Sequence, residues 1–203
     1  MPRPSREPQI LAGALSEFAK HGYDNARVRG IAKAAGVSEA ALYRHYPSKE
    51  AIAFALFRNH LRRYSEALLY MTSPTGLTVA DRIHDLVVAS LQAFEDERDV
   101  FVFVTTQQAR LIGALPADFP YPIRIVEGIV RDGQRDGSVR DGPVRLLAAL
   151  VFGCIMQPVR TVLEAPPGTI SLASPEAREL CADAAWRAIA ATPGRLTLHD
   201  KVR

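Results

Sequence analysis

The chain has 203 residues, a mass of 22.2 kDa and a net charge of +3, enough for one domain with a sizeable core or for two small ones. Hydrophobic residues make up 48 % and charged residues 23 % of the sequence, the range of ordinary globular proteins, which argues against disorder. The N-terminal residues do not read as a secretory signal, and the longest apolar run is shorter than the roughly 20 residues of a membrane span, so we expect a soluble cytoplasmic protein.

Hydrophobic periodicity predicts helices along nearly the whole chain, and hence an all-α fold. The apolar residues of the first helix follow the spacing i, i+3, i+4 and i+7, namely Ile10, Leu11, Ala14, Leu15, Phe18 and Ala19. We expect His21-Gly22 to end this helix. Shorter second and third helices are predicted over 28–35 and 39–46, and a longer fourth over 49–71 with Ser48 as its cap.

Five further helices are predicted after a turn cluster at 72–76, over 77–97, 100–115, 123–131, 143–164 and 175–191. The segment VFVFV within 100–115 would suit a strand, but helix is preferred because no turn signal follows and no partner strand is evident. Three Asp-Gly pairs after Arg131 are expected to break the chain, and Pro158 to kink or interrupt its helix. Ser174 should cap the last helix, and we expect the tail from Thr192 to be frayed.

No pattern in the sequence favours catalysis or metal binding. GxSxG, HExxH, P-loop and GxGxxG motifs are missing, and the five histidines are scattered without a metal-binding spacing. Cys154 and Cys181 form no CxxC pair and are expected to be buried thiols. We therefore expect neither an enzyme nor a cofactor, and no metal.

The charge is concentrated in the first third of the chain. Residues 1–70 carry 11 Lys and Arg against 6 Asp and Glu, a net charge of +5, and the remainder carries 14 against 16, a net charge of −2. This asymmetry favours a polyanion-binding N-terminal part joined to a nearly neutral body, although chance could produce the same asymmetry.

Over 28–46, two predicted helices are joined by the residues AGVS, an arrangement that is typical of a helix-turn-helix. Gly36 permits the left-handed backbone of a tight turn, Val37 fills the gap between the helices, and Ser38 can cap the second of them. Leu42 and Tyr46 are four residues apart and are predicted to point into the core. The opposite face of this helix is then free to enter the major groove of DNA, which has the width of a helix.

The side chains of that face and its flanks suit DNA binding. Small alanine side chains let the backbone approach a thymine methyl. Aromatic and basic side chains, and the free backbone N–H groups at the start of a helix, can reach phosphate, sugar or a guanine edge. The alternative interpretation is that Tyr43 and His45 are half-buried surface residues of a small bundle. The candidate DNA-binding residues are Arg27, Arg29, Ser38, Glu39, Ala40, Ala41, Tyr43, Arg44, His45 and Lys49.

The stretch VRGIAKAAGVSEAALYRHYPSKEAI, with HGYDN before it, resembles the DNA-binding motif of the TetR (tetracycline-repressor-like) family of bacterial regulators. The similarity covers about Phe18 to Leu56, and the remainder is similar only in layout, as an all-helical body with two long C-terminal helices. The resemblance implies a three-helix DNA-binding domain over 1–48 and a helical effector-binding and dimerisation domain over 49–203. It carries DNA contacts over to Arg29, Glu39, Ala40, Ala41, Tyr43, His45 and Lys49.

Two features depart from the family pattern. The family usually has Thr or Ser just before the second helix, where this chain has Ala26 and Arg27, so we expect a weaker cap or one from Asp24 or Asn25. Gly30 stands where an acidic residue is common, and glycine loosens a helix by up to roughly 1 kcal/mol relative to alanine.

The resemblance also implies a homodimer, a near-palindromic operator and a repressor released by a small-molecule effector. Small and apolar stripes suit helix contacts between protomers or within the core, namely Leu146, Leu150, Gly153, Ile155, Leu180, Cys181, Ala184, Ala185 and Ala188. Candidate ligand-binding residues are Phe94, Phe101, Phe103, Gln107, Gln108, Tyr121, Phe152, Met156 and Gln157, each of which could equally be core or helix edge. The alternative function is a basic helical module that binds a protein or membrane surface without reading DNA sequence.

Overall fold

The structure, a computed structural model, describes residues 6–73, 76–166 and 168–191, and these residues form nine α-helices and one short 3-10 helix. The tail from Thr192 and part of the predicted turn at 72–76 lie outside the described residues. The helices are α1 (Glu7–Asn25), α2 (Val28–Ala34), α3 (Glu39–His45), α4 (Lys49–Thr72), α5 (Val79–Asp96), α6 (Arg98–Leu111), α7 (Pro122–Asp136), α8 (Val144–Glu164) and α9 (Pro175–Ile189), with the 3-10 helix at Ile112–Ala114. The predicted all-α fold is confirmed.

The chain divides into two compact units. The first unit, which we call the head unit, comprises Met1–Ala67 and Ala93–Pro122, and the second, the body unit, comprises Leu68–Gln92 and Ile123–Arg203. The head unit therefore contains α6 as well as the first three helices, and α4 runs from one unit into the other.

A single buried cluster joins the helices of the head unit. Ile10, Ile31, Leu42 and Ile52 are each 0 % exposed and come from α1, α2, α3 and α4. Phe103 of α6 belongs to the same cluster, and its ring stacks on that of Phe18 with 5.3 Å between the centroids. Burying side chains of this size contributes roughly 1.5–3 kcal/mol each, so α4 and α6 also help to hold the first three helices in place.

The body unit is built from the end of α4, α5 up to Gln92, α7, α8 and α9. The end of α9 is tied to the segment after α7 by an antiparallel bridge between Val139 and Ala190. His84 of α5 lies 2.9 Å from the Glu179 carboxylate of α9 and 3.1 Å from Asp85. The two hydrogen bonds raise the pKa of His84, that with Asp85 contributing most. Cys154 and Cys181, expected to be buried, are only half-buried, and burial raises the pKa of both thiols.

The predicted helix boundaries are confirmed in part. The first helix is interrupted at Gly22, as predicted, because this residue has a non-helical backbone with φ 70° and ψ 159°, and helical hydrogen bonding resumes after this kink to Asn25. The first Asp-Gly pair does not break the chain, because α7 continues to Asp136. A Cβ at Gly133 would lie 2.4 Å from Cγ2 of Val139, so this glycine is needed for close packing inside a helix. Pro158 lies inside α8 without ending it.

By length and composition α8 could cross a membrane, and it is the one helix among the described residues that could. Its mean hydropathy is 1.8 over the most apolar 18-residue window, which is longer than the uninterrupted apolar run in the sequence. Core helices of soluble proteins pass the same test, and Leu147, Ala148 and Val151 of α8 are buried within the protein.

Candidate nucleic-acid interface

The turn between α2 and α3 has the geometry predicted for a helix-turn-helix. Gly36 has φ 66°, which L side chains rarely adopt, and the Ser38 hydroxyl accepts a hydrogen bond of 3.1 Å from the backbone N–H of Ala41. The end of α2 lies directly on α1, since a Cβ at Gly13 would be 2.7 Å from the backbone nitrogen of Ala35. Gly13 was missed in the sequence analysis, although a glycine inside an apolar helical pattern is a signal for such close packing.

One face of α3 is docked into the head unit. Leu42 is 0 % exposed and Tyr46, directly after the helix, is 9 % exposed, as the sequence predicted. The Tyr46 hydroxyl donates a hydrogen bond of 2.8 Å to Oε1 of Glu7 on α1. Burial, and then the neighbouring Glu7 carboxylate, raise the pKa of Tyr46. These contacts fix the rotation of α3 about its axis.

The opposite face of α3 is open to solvent. Tyr43 is 49 % exposed, a large fraction for an aromatic side chain in a helix whose other face is buried. The further exposed candidates on and before α3 are Ser38, Glu39, Ala40, Arg44 and His45, and only Ala41 is half-buried. Arg27 and Arg29, at the start of α2, are exposed as well. A helix with this exposed combination of small, aromatic and basic groups can enter a major groove.

Lys49, the first residue of α4, is turned toward the main chain rather than toward solvent. Its Nζ donates hydrogen bonds to the carbonyl oxygens of Tyr23 (2.9 Å), Ala26 (3.1 Å) and Asp24 (3.2 Å). Since an ammonium group has three donors, all are engaged where α1 ends. A cation near a helix C-terminus is also favoured by the helix dipole. A DNA contact by Lys49 would have to replace one of these bonds.

The ring of Tyr23 joins three elements of the head unit. Lys49 Nζ lies 4.7 Å from its centroid, and the guanidinium carbon of Arg110 on α6 lies 4.6 Å from it. Arg110 also reaches Oδ1 of Asp24 at 3.4 Å, and the Tyr23 hydroxyl donates to Glu50 at 3.2 Å. Burial is the largest of the causes that raise the pKa of Tyr23. The end of α6 is thus in contact with the end of α1.

The start of α2 has no cap from its own sequence neighbours. Arg27 occupies the N-cap position without a side-chain hydrogen bond, so neither Asp24 nor Asn25 supplies the expected cap. Instead Oε1 of Glu17, on α1, accepts a hydrogen bond of 3.4 Å from the Arg27 backbone N–H. The sequence offered no signal for this contact, because it joins two helices.

The predicted ligand-binding residues are divided between the two units. Phe94 and Phe103 are buried in the head unit, where Phe94 packs edge-on against Phe101 with 5.4 Å between ring centroids. Burial raises the pKa of Tyr121, and Gln107 is half-buried. Those on α8 in the body unit are Phe152 and Met156, both half-buried, and Gln157. Gln108 and Gln157 are exposed, so water can satisfy their amides.

Some residues of the predicted small and apolar stripes of α8 and α9 are buried, and others are exposed to solvent. Ile155 and Ala185 are buried in the body unit itself. Leu146, Leu150 and Leu180 are 58 %, 43 % and 70 % exposed. Such large exposed apolar side chains on the two C-terminal helices mark a surface suited to association.

Comparison with known proteins gave consistent matches. Residues 10–56 match the sequence profile described as bacterial regulatory proteins, tetR family. The chain is 31 % identical to the HTH-type transcriptional repressor KstR2 of Mycolicibacterium smegmatis over 67 % of this chain and 68 % of the relative. It is 26 % identical to the fatty acid metabolism regulator protein of Bacillus subtilis over 75 % and 81 %. The crystal structure of a transcription regulator from Marinobacter aquaeolei is similar with TM-score 0.73 and 25 % identity, covering 91 % of this chain and 95 % of that one.

Proposed function

This chain belongs to the TetR family of bacterial regulatory proteins, and we propose that it is a homodimeric repressor that leaves a near-palindromic operator when a small-molecule effector binds. The observation that carries the proposal is the exposed face of α3. Leu42 anchors the helix inside the head unit while Tyr43 and Arg44 remain free on its outer side. The alternative, a basic surface-binding module, is not favoured, since the KstR2 relative is named as a transcriptional repressor and the Bacillus subtilis relative as a regulator. A regulator of this kind works in the cytoplasm, with the DNA.

The residues divide into roles at the duplex. Ala40 and Ala41 let the α3 backbone approach base edges, and Arg29 and Arg44 reach guanine or phosphate. The other exposed candidates that contact sugar or phosphate are Arg27, Ser38, Tyr43 and His45. A phosphate would repel the Glu39 carboxylate, which instead accepts a hydrogen bond from a cytosine amino group. Lys49 supports these contacts by holding the end of α1, because its donors are bound to main-chain carbonyls.

A second copy of this chain would cover the exposed leucines of α8 and α9. The family association supports a four-helix interface made from these two helices of each protomer. A two-fold symmetric dimer presents its two recognition helices about 34 Å apart, which corresponds to one turn of DNA and explains a near-palindromic site.

The division of labour we propose is residues 1–48 for DNA binding and residues 49–203 for effector binding and dimerisation. The contact of Arg110 with Tyr23 and Asp24 offers a route, because a shift of α6 would act directly on the end of α1. Coupling of roughly 1–3 kcal/mol would change operator affinity about 5–150-fold. The Bacillus subtilis relative is named for fatty acid metabolism, so acyl compounds are the first effectors to titrate.

Selection of bound fragments from genomic DNA tests the proposal. We expect enrichment of a sequence with two related half-sites one helical turn apart, bound much more tightly than a scrambled duplex at the same salt concentration. Binding that is equal for both duplexes would refute sequence-specific regulation. Titration of acyl compounds into the operator complex would then measure release.

A further inference from the structure

The start of α2 differs from the start of the helices around it. Ser38, Ser48 and Ser174 each accept a hydrogen bond from a backbone N–H three residues later, at 3.1, 3.1 and 3.2 Å, and so cap α3, α4 and α9. The first turn of α2 has neither such a hydroxyl nor an acidic residue. Unsatisfied N–H groups at a helix start cost stability, so another group is expected to compensate.

The carboxylate of Glu17 occupies the place of the missing side chain. In a capping box, the residue at the third helical position is acidic and accepts a hydrogen bond from the N–H of the N-cap residue. Here Gly30 holds that third position, and the N–H of the N-cap residue Arg27 is bound by Glu17 Oε1. Glu17 thus makes from α1 the bond that an acidic residue 30 would make from α2.

The Glu17 carboxylate occupies the space that a side chain at residue 30 would take. A Cβ at residue 30 would lie 2.2 Å from Oε1, 2.4 Å from Cδ and 2.5 Å from Oε2 of Glu17. A side chain at residue 30 would therefore displace the flexible end of Glu17 from the first turn of α2. The Glu17 side chain is 14 % exposed, so the group is largely shielded from water, and its second oxygen faces His21 at 3.9 Å.

We propose that Glu17 is a positioning residue for DNA binding: it completes a capping box between helices and holds the first turn of α2, with Arg27 and Arg29, in the orientation that meets the duplex. The capping half of this proposal stands on the contacts of Glu17 alone. The DNA half rests on the proposed function.

The test uses the full chain and compares four variants with a fifth that serves as a control. Glu17→Ala removes the carboxylate, and Glu17→Ala with Gly30→Glu moves the acid onto α2 itself. Gly30→Ala is made both alone and together with Glu17→Ala. Glu66→Ala, which removes an exposed carboxylate from α4, controls for the change of charge. The measurements are thermal unfolding, amide hydrogen exchange of residues 26–34, and affinity for the operator duplex recovered from the genomic selection.

We expect Glu17→Ala to speed exchange over 26–34 and to weaken operator binding about fivefold, equivalent to about 1 kcal/mol, the usual worth of a cap. The double variant with Gly30→Glu should restore both to within about twofold, and Glu66→Ala should change neither. Gly30→Ala should raise the melting temperature in the Glu17→Ala background, where it only adds helix propensity, and should raise it less or lower it when Glu17 is present.

Three results would overturn the proposal. Equal effects of Gly30→Ala in both backgrounds, or unchanged exchange in Glu17→Ala, would show that the carboxylate is not a cap. Faster exchange without weaker operator binding would show that the cap does not position the arginines. Recovery of no operator would refute the proposed function instead, and exchange and melting would still decide whether Glu17 caps α2.

Discussion

Replacing Lys49 with methionine separates two roles for this residue. The change keeps the aliphatic stem and removes the ammonium group that donates to the carbonyls of Tyr23, Asp24 and Ala26. Hydrogen bonds to charged groups contribute roughly 1.5–3 kcal/mol each, but they are not additive and this ammonium is partly exposed. We therefore expect a loss of about 2 kcal/mol in the free energy of unfolding, or about 4–8 °C in melting temperature for a chain of this size.

The assay measures thermal unfolding and, separately, the salt dependence of operator binding. If Lys49 acts by holding the end of α1, operator affinity falls while the slope of log K against log salt is unchanged. If Lys49 contacts a phosphate, the slope falls by about 1 and stability is nearly unaffected. Lys20→Met, at an exposed position on α1, is the matched control. A stable variant with a reduced slope would refute the capping role.

Three further outcomes follow from the structure. Leu42→Ala removes a fully buried anchor of α3 and should lower the free energy of unfolding by roughly 2–5 kcal/mol in denaturant melts, and a loss below 1 kcal/mol would contradict its burial. Tyr43→Ala should cost roughly 1–3 kcal/mol of operator affinity and change stability by less than about 0.5 kcal/mol, and unaltered binding would exclude Tyr43 from the interface. Because Asp85 and Glu179 raise the pKa of His84, its stabilising contribution is present below the unfolded pKa of about 6.5 and is lost as the pH rises through the raised value. The melting temperature of His84→Gln should therefore lie further below that of the unaltered protein at pH 5.5 than at pH 8.5, and a pH-independent difference would contradict this ion pair.

The recognition helix could be predicted because every local signal agreed. The turn glycine Gly36, the cap Ser38 and the inward pair Leu42 and Tyr46 all lie within eleven residues, and the structure places each as expected. Neighbours in sequence decide such features, so a single sequence contains the needed information. The same holds for the serine that caps α9.

The contacts that were missed join residues distant in sequence. Glu17 on α1 reaches Arg27 at the start of α2, and the ammonium group of Lys49 reaches carbonyls more than twenty residues earlier. Gly133 was interpreted as a breaker because Asp-Gly favours turns, but packing against Val139 overrides that local preference. Periodicity and turn chemistry cannot show such contacts, since they depend on how the helices are placed.

The membership of α6 in the head unit limits how this protein can be recombined. Phe103 and Leu111 are buried in the same cluster as the core residues of α1 to α4. A fragment ending at Thr72 would lack both side chains and would expose the ring of Phe18 on which Phe103 stacks. In a chimera that exchanged only the first 72 residues with another regulator, the core of α1 to α4 would therefore pack against an α6 from the other protein. A chimera that keeps this packing has to include α6 together with the DNA-reading helices.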